Sequence, residues 1–398
     1  MPQKNFAELY SGSEDIVQSL ENFNTQPSKT IEVDGVSWHY IVRGKNNEQT
    51  LLFLHGMGGA YDIWWQQINA LENDFKIISL TLPTVNSLKE TFNGINAILA
   101  AEQVDKLSII GSSMGGYIAQ NFLNESPERL DKLVMGNTFP PNKIFAEQNG
   151  GIRKVLPFLP EWLIMRIFRS SLSTKVTPFS EDSPLVEAYL LEQYYGAMSK
   201  KQFIGRLDVV LDKLEISDRS EVNIQVPKLI IEADNDPLIS PELRTKLKAL
   251  YPEAAVYTFK NKGHFEYLNA AEEYTEVLRD FLGNPDLKLI QQTIHNYFEG
   301  RKTANIKRLA SAFHSSATLV NATDTTALVN ISLADYFSHV KQQGATTCET
   351  NILSTEIDGK KATVRTSFDY GDKKYEDRLS LIKENNHWLI VNKTFVKK

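Results

Sequence analysis

The pattern of apolar and polar positions differs between two parts of the chain. Between about residues 31 and 283, short runs of apolar residues are separated by helical stretches. The runs are apolar at successive positions, which is typical of strands in a parallel sheet that helices cover on both faces. An Asp34-Gly35 turn before the first run predicts that the sheet starts with an antiparallel hairpin. The runs are LLFLHG (51–56), KIISLTLP (76–83), KLSIIGSS (106–113), KLVMGNTF (132–139), KLIIEAD (228–234) and AAVYTFK (254–260).

The alternation is interrupted at about residues 141–225, which contain no convincing strand-like run. Two segments there, RKVLPFLPEWLIMRIF (153–168) and LVEAYLLEQYYGAM (185–198), carry aromatic residues at helical spacing. We favour a helical cap that is inserted over the carboxyl edge of the sheet. Extra core helices are the plainer interpretation, and an interfacial membrane helix is a third, although few basic residues flank the apolar segment.

The pattern changes after Gly283-Asn284-Pro285, a sequence that is typical of a linker between domains. Residues 287–299 place apolar side chains on one helical face, and strand-like segments separated by glycine-containing turns follow later. In ATVRTSFDY (362–370) apolar and polar residues alternate with period two. Helices followed by an antiparallel meander predict a separate α+β domain. We therefore divide the chain into domains at 1–284 and 285–398.

Composition and charge exclude several classes of function. The 398 residues are 42% hydrophobic and 23% charged, with a formal net charge of −6. This mildly acidic balance, without a basic aromatic patch, argues against nucleic-acid binding. The sequence shows no signal-peptide pattern and no apolar run long enough to span a bilayer, so we expect a cytoplasmic protein. Cys348 is the single cysteine, so it offers neither an intramolecular disulfide nor a zinc-ligand set.

The stretch SIIGSSMGGYIAQ (108–120) contains the candidate nucleophile. Its segment GSSMG (111–115) matches G-x-S-x-G, the sharp turn between a strand and a helix that exposes a central serine. Only Ser113 occupies the centre, and a strand-like run precedes it while a helical stretch follows. The plainer alternative is a helix N-cap that serves only the backbone. We interpret Ser112 as a small residue that fits a crowded turn.

A serine hydroxyl attacks an acyl group only when a base takes its proton and preorganised donors stabilise the oxyanion. The segment HGMGG (55–59), after an earlier strand-like run, supplies the backbone N–H of Met57 as a donor beside that of Met114. A phosphate-binding loop is the rival interpretation, but the segment lacks the lysine and the Ser/Thr of a P-loop. We take His55 as structural.

The acid and the base should follow later strands. Asp236 lies just past the run KLIIEAD, before Pro237, and Asp234 is the fallback for the same role. Because this arrangement runs Ser, Asp, His along the chain, the base should come after the acid. Within the first domain, His264 is the one histidine that does so.

With these residues in place, the segment 31–283 resembles the α/β-hydrolase superfamily, and Ser113, Asp236 and His264 match its triad. The stretches GSSMGGYIAQNF, KLVMGNTFPPNKIF and LYPEAAVYTFKNKGHFEYL are similar to the maspardin branch. The segment LTLPTVNS (80–87) lacks the P-G-x-G-x-S pattern that many members of the superfamily carry there, so we expect a different loop at the pocket.

Residues 287–398 resemble the NTF2-like (SnoaL-like) group of cone-shaped α+β domains, through LIQQTIHNYFEGRKTANIKRLASAFHSSATLV and the closing strands. This resemblance implies an isomerase, a ligand pocket or a dimerisation unit, and the fold alone does not choose among them. His314 and Asp369 are candidates for lining a cavity. A loop position for His314 and a solvent-facing strand position for Asp369 explain them as well, and we favour that explanation.

The sequence thus predicts an α/β-hydrolase fold with a helical cap, followed by a smaller NTF2-like domain. We expect a serine hydrolase that acts on a small-molecule ester, thioester or related acyl substrate, without a metal or an organic cofactor. The alternative is a non-catalytic binding or scaffold protein that forms a homodimer through its C-terminal domain. The maspardin branch departs from a complete triad, which supports the alternative, whereas this chain retains all three residues.

Overall fold

The computed structural model describes residues 4–141, 150–151, 153–216, 225–283, 285–323, 328–385 and 387–398. The chain forms two compact units, Met1–Leu282 and Gly283–Lys398. Each unit has its own sheet and its own apolar core.

The first unit is built on an eight-stranded sheet. Its strands are β1 (Ser28–Val33), β2 (Val36–Arg43), β3 (Thr50–Leu54), β4 (Lys76–Thr81), β5 (Leu107–Ser112), β6 (Leu130–Gly136), β7 (Lys228–Ala233) and β8 (Ala255–Phe259). They lie in the order β1-β2-β4-β3-β5-β6-β7-β8. The predicted antiparallel hairpin of β1 and β2 is confirmed, and both of its turn residues, Asp34 and Gly35, have positive φ. The pairings from β4 to β8 are parallel.

Helices cover both faces of this sheet. Those described are α1 (Phe6–Leu9), α2 (Glu14–Asn24), α3 (Trp65–Leu71), α4 (Leu88–Ala101), α5 (Met114–Glu125), α6 (Glu161–Lys175), α7 (Pro184–Glu192), α8 (Lys200–Leu211), α9 (Pro241–Leu250), α10 (Glu266–Asn269) and α11 (Ala271–Leu282). Successive residues of β3 enter two different apolar clusters, Leu52 in one and Phe53 in the other. Every residue of β3, β5 and β7 is buried, as predicted from their uninterrupted apolar runs.

The cap comprises α6, α7 and α8 together with the described segments that precede and connect them, and it lies between β6 and β7 in the chain. In the described part of residues 141–225 there is no strand. Leu190 and Tyr194 of the cap reach the loop after β3, where each comes within 3.0 Å of the position that a Cβ would take on Gly58. Because that loop follows a parallel strand, the cap contacts the carboxyl edge of the sheet. Both ends of the predicted cap, at residues 142–149 and 217–224, lie outside the described residues.

The second unit combines helices with a six-stranded sheet of the order β10-β9-β14-β13-β12-β11. Its described elements are α12 (Pro285–Lys302), α13 (Ile306–Ala310), β9 (Phe313–Asn321), β10 (Val329–Ile331), α14 (Leu333–Gln343), β11 (Glu349–Asp358), β12 (Lys361–Asp369), β13 (Lys374–Glu384) and β14 (His387–Lys397). The predicted period-two alternation is confirmed in β12, where Val364 and Phe368 are buried.

The predicted antiparallel meander is confirmed over β11–β14, whose three successive pairings are all antiparallel. The sheet also contains β9, which was not predicted as a strand and which pairs in parallel with β14. The loop position predicted for His314 is wrong, because His314 lies within β9. The last strand of the chain inserts beside the first strand of the unit, and local alternation of apolar residues does not reveal such a long-range pairing.

Candidate functional site

Ser113 lies at the sharp turn between β5 and α5. Its φ is +55° and its ψ is −118°, a strained conformation for a residue with a side chain. A Cβ on Gly111 would overlap the backbone of Gly115, and a Cβ on Gly115 would overlap the backbone of β3. The two glycines therefore permit the close approach of strand and helix that places Ser113 at the turn.

The Ser113 side chain does not cap α5, so the N-cap alternative finds no support in the structure. Its backbone is held instead: its N–H donates to the Gly136 carbonyl at 2.8 Å, and its carbonyl accepts from Thr138 Oγ1 at 2.7 Å. Gly56, after β3, comes so close that a Cβ there would lie 3.8 Å from Ser113 Oγ. The loop after β3 and the serine therefore face each other at the carboxyl edge of the sheet.

His264 and Asp236 form a buried pair at the same edge. His264 Nδ1 lies 2.8 Å from Asp236 Oδ2, and the two residues are 2% and 6% exposed. The other oxygen, Asp236 Oδ1, accepts from the backbone N–H groups of Leu238 at 2.7 Å and Ile239 at 3.1 Å. With one oxygen held by the backbone of its own loop, the carboxylate presents the other to the histidine.

Asp234, the fallback for the acid, points elsewhere. Its Oδ1 accepts from the N–H of Asn261 at 2.9 Å, and its Oδ2 lies 3.4 Å from Lys260 Nζ. That backbone hydrogen bond, with the Lys260 charge beside it, lowers the pKa of the Asp234 carboxyl. Of the two acids left open by the sequence, Asp236 is the one that lies against His264.

The loop after β3 is fixed by His55. Its Nδ1 lies 2.7 Å from the Gly56 carbonyl, and its Nε2 accepts from the N–H of Leu82 at 2.9 Å, so the ring proton belongs on Nδ1. Burial, reinforced by the charge of Arg206, lowers the pKa of His55 to about 3. His55 is therefore neutral, in agreement with a structural role. Met114, the other expected oxyanion donor, begins α5, where an N–H has no partner within the helix.

Sequence reasoning missed Arg206, a residue of the cap helix α8 that is 1% exposed. Its Nη1 donates to the Met57 carbonyl at 2.7 Å and lies 3.2 Å from Met198 Sδ. Burial lowers the pKa of the guanidinium to about 10. Arg206 thereby ties the cap to the residue expected to stabilise the oxyanion. Its position three residues after Phe203, on the inner face of an amphipathic helix, was the available signal.

Glu266 was missed as well. It is fully buried two residues after His264, and Asn137 Nδ2 donates to its Oε2. Asn137 also donates to the Gly263 carbonyl at 3.3 Å and accepts from the N–H of Ala233 at 3.0 Å. Burial raises the pKa of Glu266 to about 8. Asn137 and Glu266 together connect the ends of β6 and β7 to the loop that carries His264.

The second unit contains a cavity of about 840 Å³. A polar cluster of Tyr297, Asp377 and Lys393 lines it among aromatic side chains. Lys393 Nζ lies 2.6 Å from Asp377 Oδ2 and 2.7 Å from the Tyr297 hydroxyl, which donates to the same carboxylate at 2.5 Å. His314 and Asp369 are not among the residues that line this cavity; His314 contacts Ser316 and Asp369 pairs with Lys374.

Within the described parts of the chain, no group of three or more His, Cys, Asp and Glu side chains is arranged to hold a metal ion. The same parts contain no helix that is both long and apolar enough to cross a membrane.

Two family models match the chain. The model described as "alpha/beta hydrolase fold" covers residues 49–271, and the model described as "Putative lumazine-binding" covers residues 285–396. The second match and the separate six-stranded sheet agree with the predicted NTF2-like domain.

Several relatives and solved structures match about two thirds of the chain. The chain is 26% identical to maspardin of Danio rerio over 273 residues, which is 65% of this chain and 85% of that protein. It is 28% identical to a poly(3-hydroxyalkanoate) depolymerase of Ectopseudomonas oleovorans over 274 residues, 64% of this chain and 92% of that protein.

A crystal structure of a hydrolase from Pseudomonas aeruginosa PA01 shares the fold with a TM-score of 0.57 at 19% identity, over 65% of this chain and 100% of that one. The crystal structure of the enol-lactonase from Burkholderia xenovorans LB400 shares the fold with a TM-score of 0.55 at 17% identity, over 64% of this chain and 99% of that one. The predicted superfamily is thus confirmed by the sheet order, the turn at Ser113 and a family model that spans more than half of the sequence. The chain belongs to the α/β hydrolase fold family.

Proposed function

We propose that the first unit is a serine hydrolase in which Ser113, His264 and Asp236 form the catalytic triad. The buried Asp236–His264 pair, at the same sheet edge as a serine held at positive φ, carries this proposal. A carboxylate that engages Nδ1 leaves Nε2 of the imidazole as the proton acceptor. The role of the pair is therefore to prepare His264 as a base.

In the proposed reaction, His264 Nε2 takes the proton of Ser113 as Oγ attacks the acyl carbon. The backbone N–H groups of Met57 and Met114 hold the oxyanion of the tetrahedral intermediate. His264 then gives the proton to the leaving group, and an acyl-enzyme forms. Water, deprotonated by His264, attacks the acyl carbon of the acyl-enzyme. His264 then gives that proton to Ser113 Oγ as the bond between Oγ and the acyl carbon breaks, which releases the acid and restores the serine hydroxyl.

The substrate class is an ester, a thioester or a related acyl compound with an apolar acyl group. The cap supports this choice, because Met57 packs into an apolar cluster with Tyr194, Phe168 and Phe203. The names of two similar proteins, a poly(3-hydroxyalkanoate) depolymerase and an enol-lactonase, refer to ester-bond chemistry in those proteins. No metal or organic cofactor enters the mechanism.

The alternative is a non-catalytic binding protein, supported by the similarity to maspardins. A fluorophosphonate probe separates the two, because it labels only an activated serine. We expect the purified chain to be labelled, and Ser113→Ala and His264→Ala to be unlabelled. Folded wild-type protein that resists labelling would overturn the hydrolase proposal. A series of p-nitrophenyl esters of increasing chain length then defines the acyl preference.

We also propose that the second unit binds a small molecule in its cavity. The buried polar cluster of Tyr297, Asp377 and Lys393 on the wall of that cavity supports this role, as does the match to a family described as "Putative lumazine-binding". Titration of the full chain with lumazine, followed by the ligand's fluorescence, tests it, with Lys393→Met as the comparison. Equal binding by wild type and Lys393→Met would place the ligand elsewhere. The homodimer expected from the sequence stays a prediction.

A further inference from the structure

The outer surface of the cap exposes a group of large apolar side chains. Phe158 is 86% exposed, Trp162 55%, Val155 54% and Ile167 51%. All four come from residues 155–167, at the start of the described cap. Single apolar residues are ordinary on a protein surface, whereas a group so close together marks a site of interaction.

The opposite side of the same segment is packed. Leu156 and Ile164 are buried in an apolar cluster of the cap, against which Met57 also packs. Trp162 and Arg166 are four residues apart in α6, so they share one face of the helix, and both are exposed. The inner face thus anchors the segment and holds its exposed apolar side chains in place.

The charge around this group is positive. Residues 153–169 contain four basic residues and one acidic residue, Glu161, although the chain as a whole carries −6. Arg153 is neutralised by its ion pair with Asp208, and Arg169 stacks on the ring of Tyr195. The exposed side chains therefore carry two positive charges, on Lys154 and Arg166, against the one negative charge of Glu161. Positive charge beside apolar side chains on an acidic protein complements an anionic, apolar surface.

We propose that the cap face, defined as Val155, Phe158, Trp162 and Arg166, docks on an anionic lipid surface. Aromatic side chains bind favourably at the boundary between headgroups and acyl chains, and basic side chains attract the headgroups. A second copy of the chain bound through the same face would bring like charges together, which favours the membrane over a symmetric dimer. The proposal does not depend on the hydrolase function, although docking would bring apolar acyl compounds to the cap.

Flotation of the full chain with vesicles tests the proposal. We expect it to float with phosphatidylcholine vesicles that contain phosphatidylglycerol, to float less with pure phosphatidylcholine, and to be released by salt. Replacement of Phe158 and Trp162 together by serine should lower the partition coefficient by roughly tenfold or more. Arg166→Glu should lower it on the anionic vesicles alone. The matched control is Val256→Ser, which changes an apolar residue of β8 that is 46% exposed and should bind as wild type.

Trp162 provides a second readout, because the other four tryptophans are at most 1% exposed. Lipids with brominated acyl chains should quench Trp162 emission in anionic vesicles, and Phe158→Ser should reduce the quenching. The proposal is overturned if wild type fails to float with anionic vesicles, or if the Phe158→Ser/Trp162→Ser variant floats equally well. It is also overturned if that variant changes only the mass measured by light scattering without lipid, which would assign the face to contacts between copies.

Discussion

Each unit buries an aspartate against a side chain that can carry a positive charge. Asp236 lies in the loop after β7, and its partner His264 lies in the loop after β8. Asp377 lies within β13, and its partner Lys393 lies within the neighbouring β14. The Asp236–His264 pair therefore lies in loops at the edge of a sheet, whereas the Asp377–Lys393 pair lies within two strands of a sheet.

The two pairs differ in the proton chemistry that they allow. Histidine as a residue type exchanges a proton near neutral pH, whereas lysine and tyrosine ordinarily do not. Burial raises the pKa of Tyr297 well above its ordinary value, so its hydroxyl keeps its proton and donates it to Asp377 in a hydrogen bond. The comparison teaches that a buried acid does not identify a catalytic centre, since its partner and its place in the fold decide what it does.

We expect the largest loss of activity from a change in the Asp236–His264 pair. Asp236→Asn keeps the shape of the side chain but permits the wrong tautomer of His264, so kcat for ester hydrolysis should fall by roughly 10³- to 10⁴-fold. The melting temperature should change little. Asp234→Asn is the control, because Asp234 contacts Lys260 rather than the histidine, and it should keep its activity. Equal losses in the two variants would argue against the assignment of the acid.

A change in the Asp377–Lys393 pair should lower the stability of the second unit rather than the activity. Asp377→Asn leaves Lys393 buried without a counter-charge, which should cost about 3–5 kcal/mol in the free energy of unfolding of the second unit. Urea denaturation measures the loss, and ester hydrolysis measured without denaturant should stay unchanged. Asp369→Asn, in a solvent-exposed pair with Lys374, serves as the control. Loss of hydrolysis together with stability would contradict the separation of the two roles.

Arg206 allows the proposed oxyanion donor, the N–H of Met57, to be tested from the cap. Arg206→Met removes the hydrogen bond to the Met57 carbonyl, and the resulting shift of the loop after β3, which carries the proposed oxyanion donor, should lower kcat by roughly 10- to 100-fold. KM should change less, because the lost interaction orients a transition-state donor. Arg153→Met is the matched control, because Arg153 pairs with Asp208 within the cap rather than with the loop after β3, and it should keep its kcat. A change in KM alone would instead assign Arg206 to the binding of substrate.

Glu266 is a third buried acid, and it contacts an amide rather than a base. Burial raises its pKa from 4.5 to about 8, so the folded unit keeps a proton that the unfolded chain loses. Stability should therefore fall as pH rises between about 4.5 and 8, by about 1 kcal/mol per pH unit. Glu266→Gln should flatten this slope in urea unfolding at several pH values within that window. An unchanged slope would show that another group titrates.

The glycine spacing around Ser113 and the succession of strands and helices along the chain were predictable because they rest on local patterns. The sequence preferred Asp236 over Asp234 from its place before Pro237, but both residues follow β7, and the folded loop was needed to show that Asp236 faces His264 while Asp234 contacts Asn261. Arg206 escaped notice because a pattern of apolar residues does not show which polar side chain turns inward. Helices α1 and α2 were missed for a similar reason, as their sequence is largely polar and only a few residues, such as Phe23, are buried.

The contact between His55 and the Gly56 carbonyl has a consequence for the neighbouring amide. The Gly56 oxygen and the Met57 N–H belong to one planar trans peptide, in which they point in opposite directions. When His55 Nδ1 binds that oxygen, it also fixes the direction of the Met57 N–H. The Leu82 amide fixes the other ring nitrogen, so the imidazole cannot rotate without losing both bonds. The direction of the Met57 N–H bond is thus set by the tautomer of a buried imidazole ring.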